Sequence, residues 1–148
     1  MRRLSVENTH TKYRIPRRET IGASKSVLKA EGLEYRLLNI VFINDRKSQH
    51  LNRMFLAHDY ATDVLAFRLD EGSVLEGEVY VNLDRARIQA REYRVSFKNE
   101  VMRLVIHGLL HLIGYRDTTE RSELRMRRKQ EEYLQRVSGR VENAGKNH

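Results

Sequence analysis

The sequence predicts an α+β fold, a single domain whose helices pack on one mixed sheet of about four strands. Three observations predict it. The chain has 148 residues, enough to close one core. Short apolar or alternating segments lie between positions 37 and 82, and apolar residues at helical spacing mark much of the rest. No internal repeat or Pro/Gly-rich linker divides the chain, whose one proline is Pro16.

Each element has a local reason. The first 16 or so residues are polar and irregular, with room for one short strand. Residues 17–31 read as a helix with Ile21, Val27 and Leu28 toward the core. Leu37–Ile43 is apolar, β-branched and too short for a helix, hence a buried strand. Asn44 is a favourable N-cap for a helix over about 45–57, with Leu51, Met54 and Phe55 expected inward. From Thr62 to Leu69 the chain alternates, setting Val64 and Ala66 on one face against Leu65 and Phe67 on the other. Asp70-Glu71-Gly72-Ser73 turns the chain into a strand at Glu76–Asn82, and antiparallel pairing of the two strands is expected. Helices follow over about 83–94, 97–113 and 118–136. The domain therefore spans 1–136, and 137–148 is expected to be a flexible tail.

Composition narrows the function. The net charge is +8 and the isoelectric point about 10.0, which favours a polyanionic partner, nucleic acid before an acidic membrane. The absence of cysteine excludes disulfides, thiolate metal sites and thiol nucleophiles. The first residues lack the apolar core of a secretory signal, and no run of 18 apolar residues occurs, so a cytoplasmic protein without membrane contact is expected.

The chemistry concentrates in His107-Gly108-Leu109-Leu110-His111-Leu112-Ile113-Gly114-Tyr115-Arg116-Asp117. Val101, Leu104, Val105, Gly108 and Leu112 form the apolar face of this helix. His107 and His111, four residues apart, share another face, with roughly 5–6 Å between their Cβ atoms. Two imidazoles so placed reach one ion at about 2.0–2.1 Å. Gly114 can take the left-handed conformation that ends a helix, which lets Asp117 turn back toward the pair. The spacing His-x-x-x-His-x-x-Gly-x-x-Asp is that of the metzincin zinc motif with aspartate in the third place. Three protein ligands leave a position open, the arrangement of a catalytic rather than a structural site. A metalloprotease needs glutamate directly after the first histidine. Here that residue is Gly108, which argues against proteolysis.

With these residues in place, the chain resembles the YbeY family of single-domain bacterial endoribonucleases. His107 to Tyr115 resembles the family's His-Gly-x-Leu-His-Leu-x-Gly-Tyr motif. Leu51-Asn52, Thr62 to Phe67, Gly77 to Val81, Gln89-Ala90, Glu100, Met126, Gln130 and Glu131 extend the likeness over about residues 37–134. The resemblance implies a zinc site and cleavage of single-stranded RNA. It also implies ribosomal RNA and the small ribosomal subunit as partners, maturation of the small-subunit RNA 3′ end, and ribosome quality control. Two positions depart from the family pattern. Asp117, preceded by Arg116, replaces the usual third histidine, a harder donor that shifts preference toward other divalent ions. Leu56 replaces an arginine suited to clamping phosphate, and His58, Arg68 and Arg103 are candidates for its role.

The expected metal ligands are thus His107, His111 and Asp117, and the expected catalytic residues Arg103 and His58. Arg103 is equally placed for an ordinary ion pair with Glu100 one turn back. Thr62 and Asp63 suit either orientation of a ligand histidine or a strand-entry cap. Tyr60, Tyr80 and Phe97 suit base stacking or plain core packing. Basic runs at Arg85, Arg87, Arg91 and Arg94, and at Arg121, Arg125, Arg127, Arg128 and Lys129, suit a surface that tracks phosphates. Two rival readings keep part of this pattern: an ion-dependent hydrolase of another substrate, and a non-catalytic ribosome-binding factor with a structural ion.

Overall fold

The computed structural model describes residues 1–146, and side chains through position 137. Four strands, β1 (Arg3–Asn8), β2 (Tyr35–Ile43), β3 (Val64–Arg68) and β4 (Leu75–Asn82), form one sheet in the order β1-β2-β4-β3. Five helices complete the described residues: α1 (Arg17–Ala30), α2 (Asp45–Leu56), α3 (Leu83–Tyr93), α4 (Phe97–Ile113) and α5 (Glu120–Lys146). β2 runs parallel to β1 and β4, while β3 pairs antiparallel to β4 with Ala66 opposite Val79. The sheet is therefore mixed, as the sequence implies, and the short N-terminal strand is present. α5 continues past the expected end at 136. The side chains of the expected tail from 138 onward, and all of 147–148, lie outside the described residues.

Capping chemistry sets the helix ends. The side chain of Asn44 accepts from the Lys47 amide, that of Asn82 from the Asp84 and Arg85 amides, and that of Ser96 from the Asn99 amide. Gly114 ends α4 at a φ of 123°, a conformation that L side chains rarely adopt. Its amide bonds the carbonyls of Leu110 and His111.

Strand alternation divides the interior in two. Leu38, Ile40, Phe42, Val79 and Val81 turn to the face carrying α1 and α4, where the main core lies. Ile43 and Leu65, with Val41, Phe67 and Tyr80, turn to the other face and meet Leu51 of α2. The alternation read at 64–67 is thus realised, with Val64 and Ala66 against the main core. Met54 and Phe55, expected inward from their spacing, are instead 61% and 60% exposed. α2 packs through Ser48, Leu51 and Asn52, so its last turn overhangs the short edge strand, where Phe55 meets only the ring of Phe67 among the aromatic residues. Tyr80 and Phe97 serve packing, Tyr80 against Phe67 and Phe97 against Tyr13.

The contact that positions the site is between α4 and the sheet. A Cβ on Gly108 would lie 2.5 Å from Val79 Cγ1 and 2.9 Å from Val64 Cγ2, and one on Gly77 would lie 2.7 Å from Leu112 Cδ1. Helix and sheet therefore touch through glycine on both sides. Overpacking a core costs typically about 1–3 kcal/mol. Gly108→Ala should accordingly lower stability by about 2 kcal/mol, read as a lower urea midpoint at unchanged slope. Gly22, in α1, has nothing within 4 Å of the place a Cβ would take, and should behave oppositely on change to Ala. A gain of about 0.5–1 kcal/mol is expected there from helix propensity.

Candidate metal centre

α4 presents His107 and His111 on the flank beside the stripe that meets the sheet, and the turn after Gly114 returns Asp117 to them. One ligand atom from each of the three residues lies within 4.8 Å of the others. The two Nε2 atoms are 3.1 Å apart, and His111 Nε2 is 3.5 Å from Asp117 Oδ2. The rings stand nearly perpendicular, at 78°, with centroids 4.6 Å apart. Donors at about 2.0–2.1 Å around one tetrahedral ion are about 3.3 Å from each other. The two separations bracket that value, so the residues fit a small divalent cation.

Protonation supports the fit. His107 donates its Nδ1–H to Gln130 Oε1 at 2.6 Å, leaving the Nε2 lone pair toward His111 and Asp117. Gln130 comes from α5 and is buried. Burial, and next the neighbouring His107, lower the pKa of His111, against a smaller opposing pull from Asp117. His111 is therefore neutral at physiological pH, the form in which imidazole binds metal.

The other expected residues are not part of the three-donor group. Arg103, one turn before His107, is held by Glu131 of α5 and lies 3.3 Å from Glu100 Oε1, within ion-pair reach but without hydrogen-bond geometry. The ion-pair alternative is thus present, with a second carboxylate that spacing did not indicate. His58 follows the left-handed Ala57 at the end of α2 and stacks on the exposed Tyr60, with ring centroids 5.0 Å apart. It is not among the three grouped donors. Arg68 is bound to Asp70 at the β3–β4 turn. Thr62 acts as a strand-entry tie: its carbonyl accepts from Ser48 and Asn82, and its hydroxyl from Asn52. The carboxylate of Asp63 is held by Gln89 and adds a weak pull toward protonated His111.

The role of Gln130 and the place of Arg127 near the donors were not legible in the sequence. A cleft of about 350 Å³ is lined by His107, Asp117, Glu123, Met126, Arg127 and Gln130, with Arg127 paired to Glu123. The sequence signal available was helical spacing in α5, where 123, 127 and 130 recur at steps of four and three.

Together these features define an α+β domain built around a three-donor cation site on a sheet-backed helix. The chain belongs to the endoribonuclease YbeY family, whose model matches residues 5–138. Endoribonuclease YbeY of Chlorobium chlorochromatii is 38% identical over 125 residues, covering 84% of this chain and 80% of its relative. That of Salinibacter ruber is 38% identical over 143 residues, covering 90% and 91%. The solution structure of TM1509 from Thermotoga maritima is similar with a TM-score of 0.66 and 26% identity, covering 99% of this chain and 96% of that one. Members of this family are nucleases that act on RNA phosphoester bonds. No helix among the described residues is long and apolar enough to cross a membrane.

Two outcomes follow from this geometry. Removing the amide that fixes the His107 tautomer, as in Gln130→Ala, should weaken zinc affinity about 10–100-fold in competition with a chromogenic chelator. Glu100 gives a pH signature. Burial first, and Asp63 further, push its carboxyl up to about 7, against the opposing pull of Arg103. The folded state then holds a proton that the unfolded chain loses near 4.5, so stability should fall as pH rises from about 4.5 to 7. Glu100→Gln should flatten that part of a stability–pH series, and an unchanged slope would place the titration elsewhere.

Proposed function

We propose that this chain is a zinc-dependent endoribonuclease for single-stranded RNA, with its ion held by His107, His111 and Asp117. The convergence of these three donors carries the reading. Family membership supports a place in ribosomal RNA maturation at the 3′ end of the small-subunit RNA, in ribosome quality control, and in the cytoplasm. A bound divalent cation supplies Lewis-acid polarisation of a phosphoryl oxygen.

The chain's own residues do the rest. Gln130 fixes the His107 tautomer, and burial keeps His111 neutral, so both nitrogens keep their lone pairs available. Gly108 leaves no side-chain base beside His107. The pair Glu123–Arg127 lies in the wall of the same cleft, where the guanidinium can meet a phosphate oxygen. Arg103 acts as a positioning residue: its bond to Glu131 sets α5 in register, and Gln130 stands next to Glu131. His58, with its exposed ring, remains the outlying candidate for contact with the substrate.

Metal analysis combined with cleavage of a single-stranded RNA, with and without chelator, tests the reading. Asp117→Ala should lose metal and cleavage together, each by at least about tenfold. Asp117→His should keep the metal and shift preference toward zinc over magnesium or manganese, imidazole being the softer donor. If both variants match the parent, Asp117 is a turn residue and the third ligand is another group. Metal binding without RNA cleavage would favour a structural ion or another substrate.

A further inference from the structure

On the far side of the turn that carries Asp117 lies a second cleft, of about 520 Å³. Glu31, Tyr115, Arg116, Thr119, Arg121 and Arg125 line it. Three guanidiniums thus face one carboxylate, and that carboxylate already accepts the hydroxyl of Tyr133. Arg116 and Arg121 have no acidic partner among the described residues, although most other arginines around the metal centre do: Arg103 has Glu100 and Glu131, and Arg127 has Glu123. Both are exposed. Arg125, also exposed, stands over the ring of Tyr115 at 5.3 Å, which keeps its charge beside the cleft.

Three like charges against one carboxylate leave an excess that repels, and an anion between them reduces that cost. Guanidiniums bind phosphate with paired N–H groups, and a half-buried tyrosine beside them offers a face or edge to a base. The position relative to the metal centre is fixed by covalent geometry. Arg116 and Asp117 are consecutive, with Cα atoms about 3.8 Å apart, yet they border different clefts. α5 divides in the same way: Arg121 and Arg125 face one cleft, Arg127 and Gln130 the other. A strand whose scissile phosphate lay at His107, His111 and Asp117 would reach this second cleft within a nucleotide or two.

We propose that the Tyr115–Arg125 cleft is a subsite for the RNA strand flanking the scissile bond, in which Arg116 and Arg121 hold backbone phosphates. The inference rests on the endoribonuclease reading given above. It names these arginines as affinity-determining residues outside the metal centre.

The test is binding of a fluorescently labelled single-stranded RNA of about ten nucleotides to chelator-treated full-length protein, followed by anisotropy across a salt series. Each phosphate contact on a single strand contributes about 0.7 to the slope of log affinity against log salt. Arg116→Ala and Arg121→Ala should each reduce the slope by about 0.7 and weaken binding roughly fivefold at 0.1 M salt. The control is Arg18→Ala, which removes the same charge at the opposite end of α1 from Glu31. It should leave the slope within error of the parent. Equal effects from Arg18→Ala and Arg121→Ala would mean that only net charge matters, and the subsite would be overturned while RNA binding stood. A parent protein that binds no single-stranded RNA at any salt would instead sink the endoribonuclease reading itself. Thermal melts of each variant guard against loss of fold, since all three arginines replaced are exposed.

Discussion

The contact of Gly108 with Val79 and Val64 is the constraint on which the metal centre depends. A helix can lie this close to a sheet only where its contacting residue has no side chain. The approach fixes both the depth and the rotation of α4, and with them the stripe of positions 103, 107 and 111 along one flank of the helix. Gly77 on β4 repeats the arrangement from the other side, receiving Leu112 one turn further along. The glycine that removes a protease-type base is thus also the residue that seats the histidine helix. A single residue serves packing and chemistry at once.

α5 is the second determinant. Met126, Tyr133 and Leu134 anchor it in the main core, while Gln130 and Glu131 face α4 and meet His107 and Arg103. The tautomer of a ligand histidine therefore depends on the docking of a helix that starts after the metal-binding segment has ended. This coupling explains why a long basic helix carries a buried glutamine. Its amide oxygen is a neutral acceptor, which orients imidazole without adding a negative charge to a site that already includes Asp117.

Charge is distributed with the same economy. The chain carries 28 basic against 20 acidic residues, yet the cations nearest the histidines are paired. Arg103 sits between Glu100 and Glu131, and Glu100 is buried enough for its carboxyl to hold its proton to about 7. Unpaired guanidiniums occur instead across the Asp117 turn. Excess charge is therefore placed beside the reactive centre rather than within it. There it can attract a polyanion without competing with a cation for the histidines.

Much of this was determined by the sequence itself. Local rules suffice for the Asn44 cap, the alternation at 64–67, the helix stop at Gly114 and the meeting of His107, His111 and Asp117, because each depends on spacing within one element or across one turn. Met54 and Phe55 escape those rules for the complementary reason: periodicity says which residues share a helix face, not whether the sheet extends beneath it. Gln130 and Glu131 were legible only as positions that match the family pattern, and Arg127 only as part of a basic run. Their partners lie more than one element away, and only the docking of α5 on α4 could decide them. The parallel pairing of β2 with β1 and β4 was likewise a tertiary outcome. Crossover connections carry no short turn signal, and burial of the shared core selected the strand order.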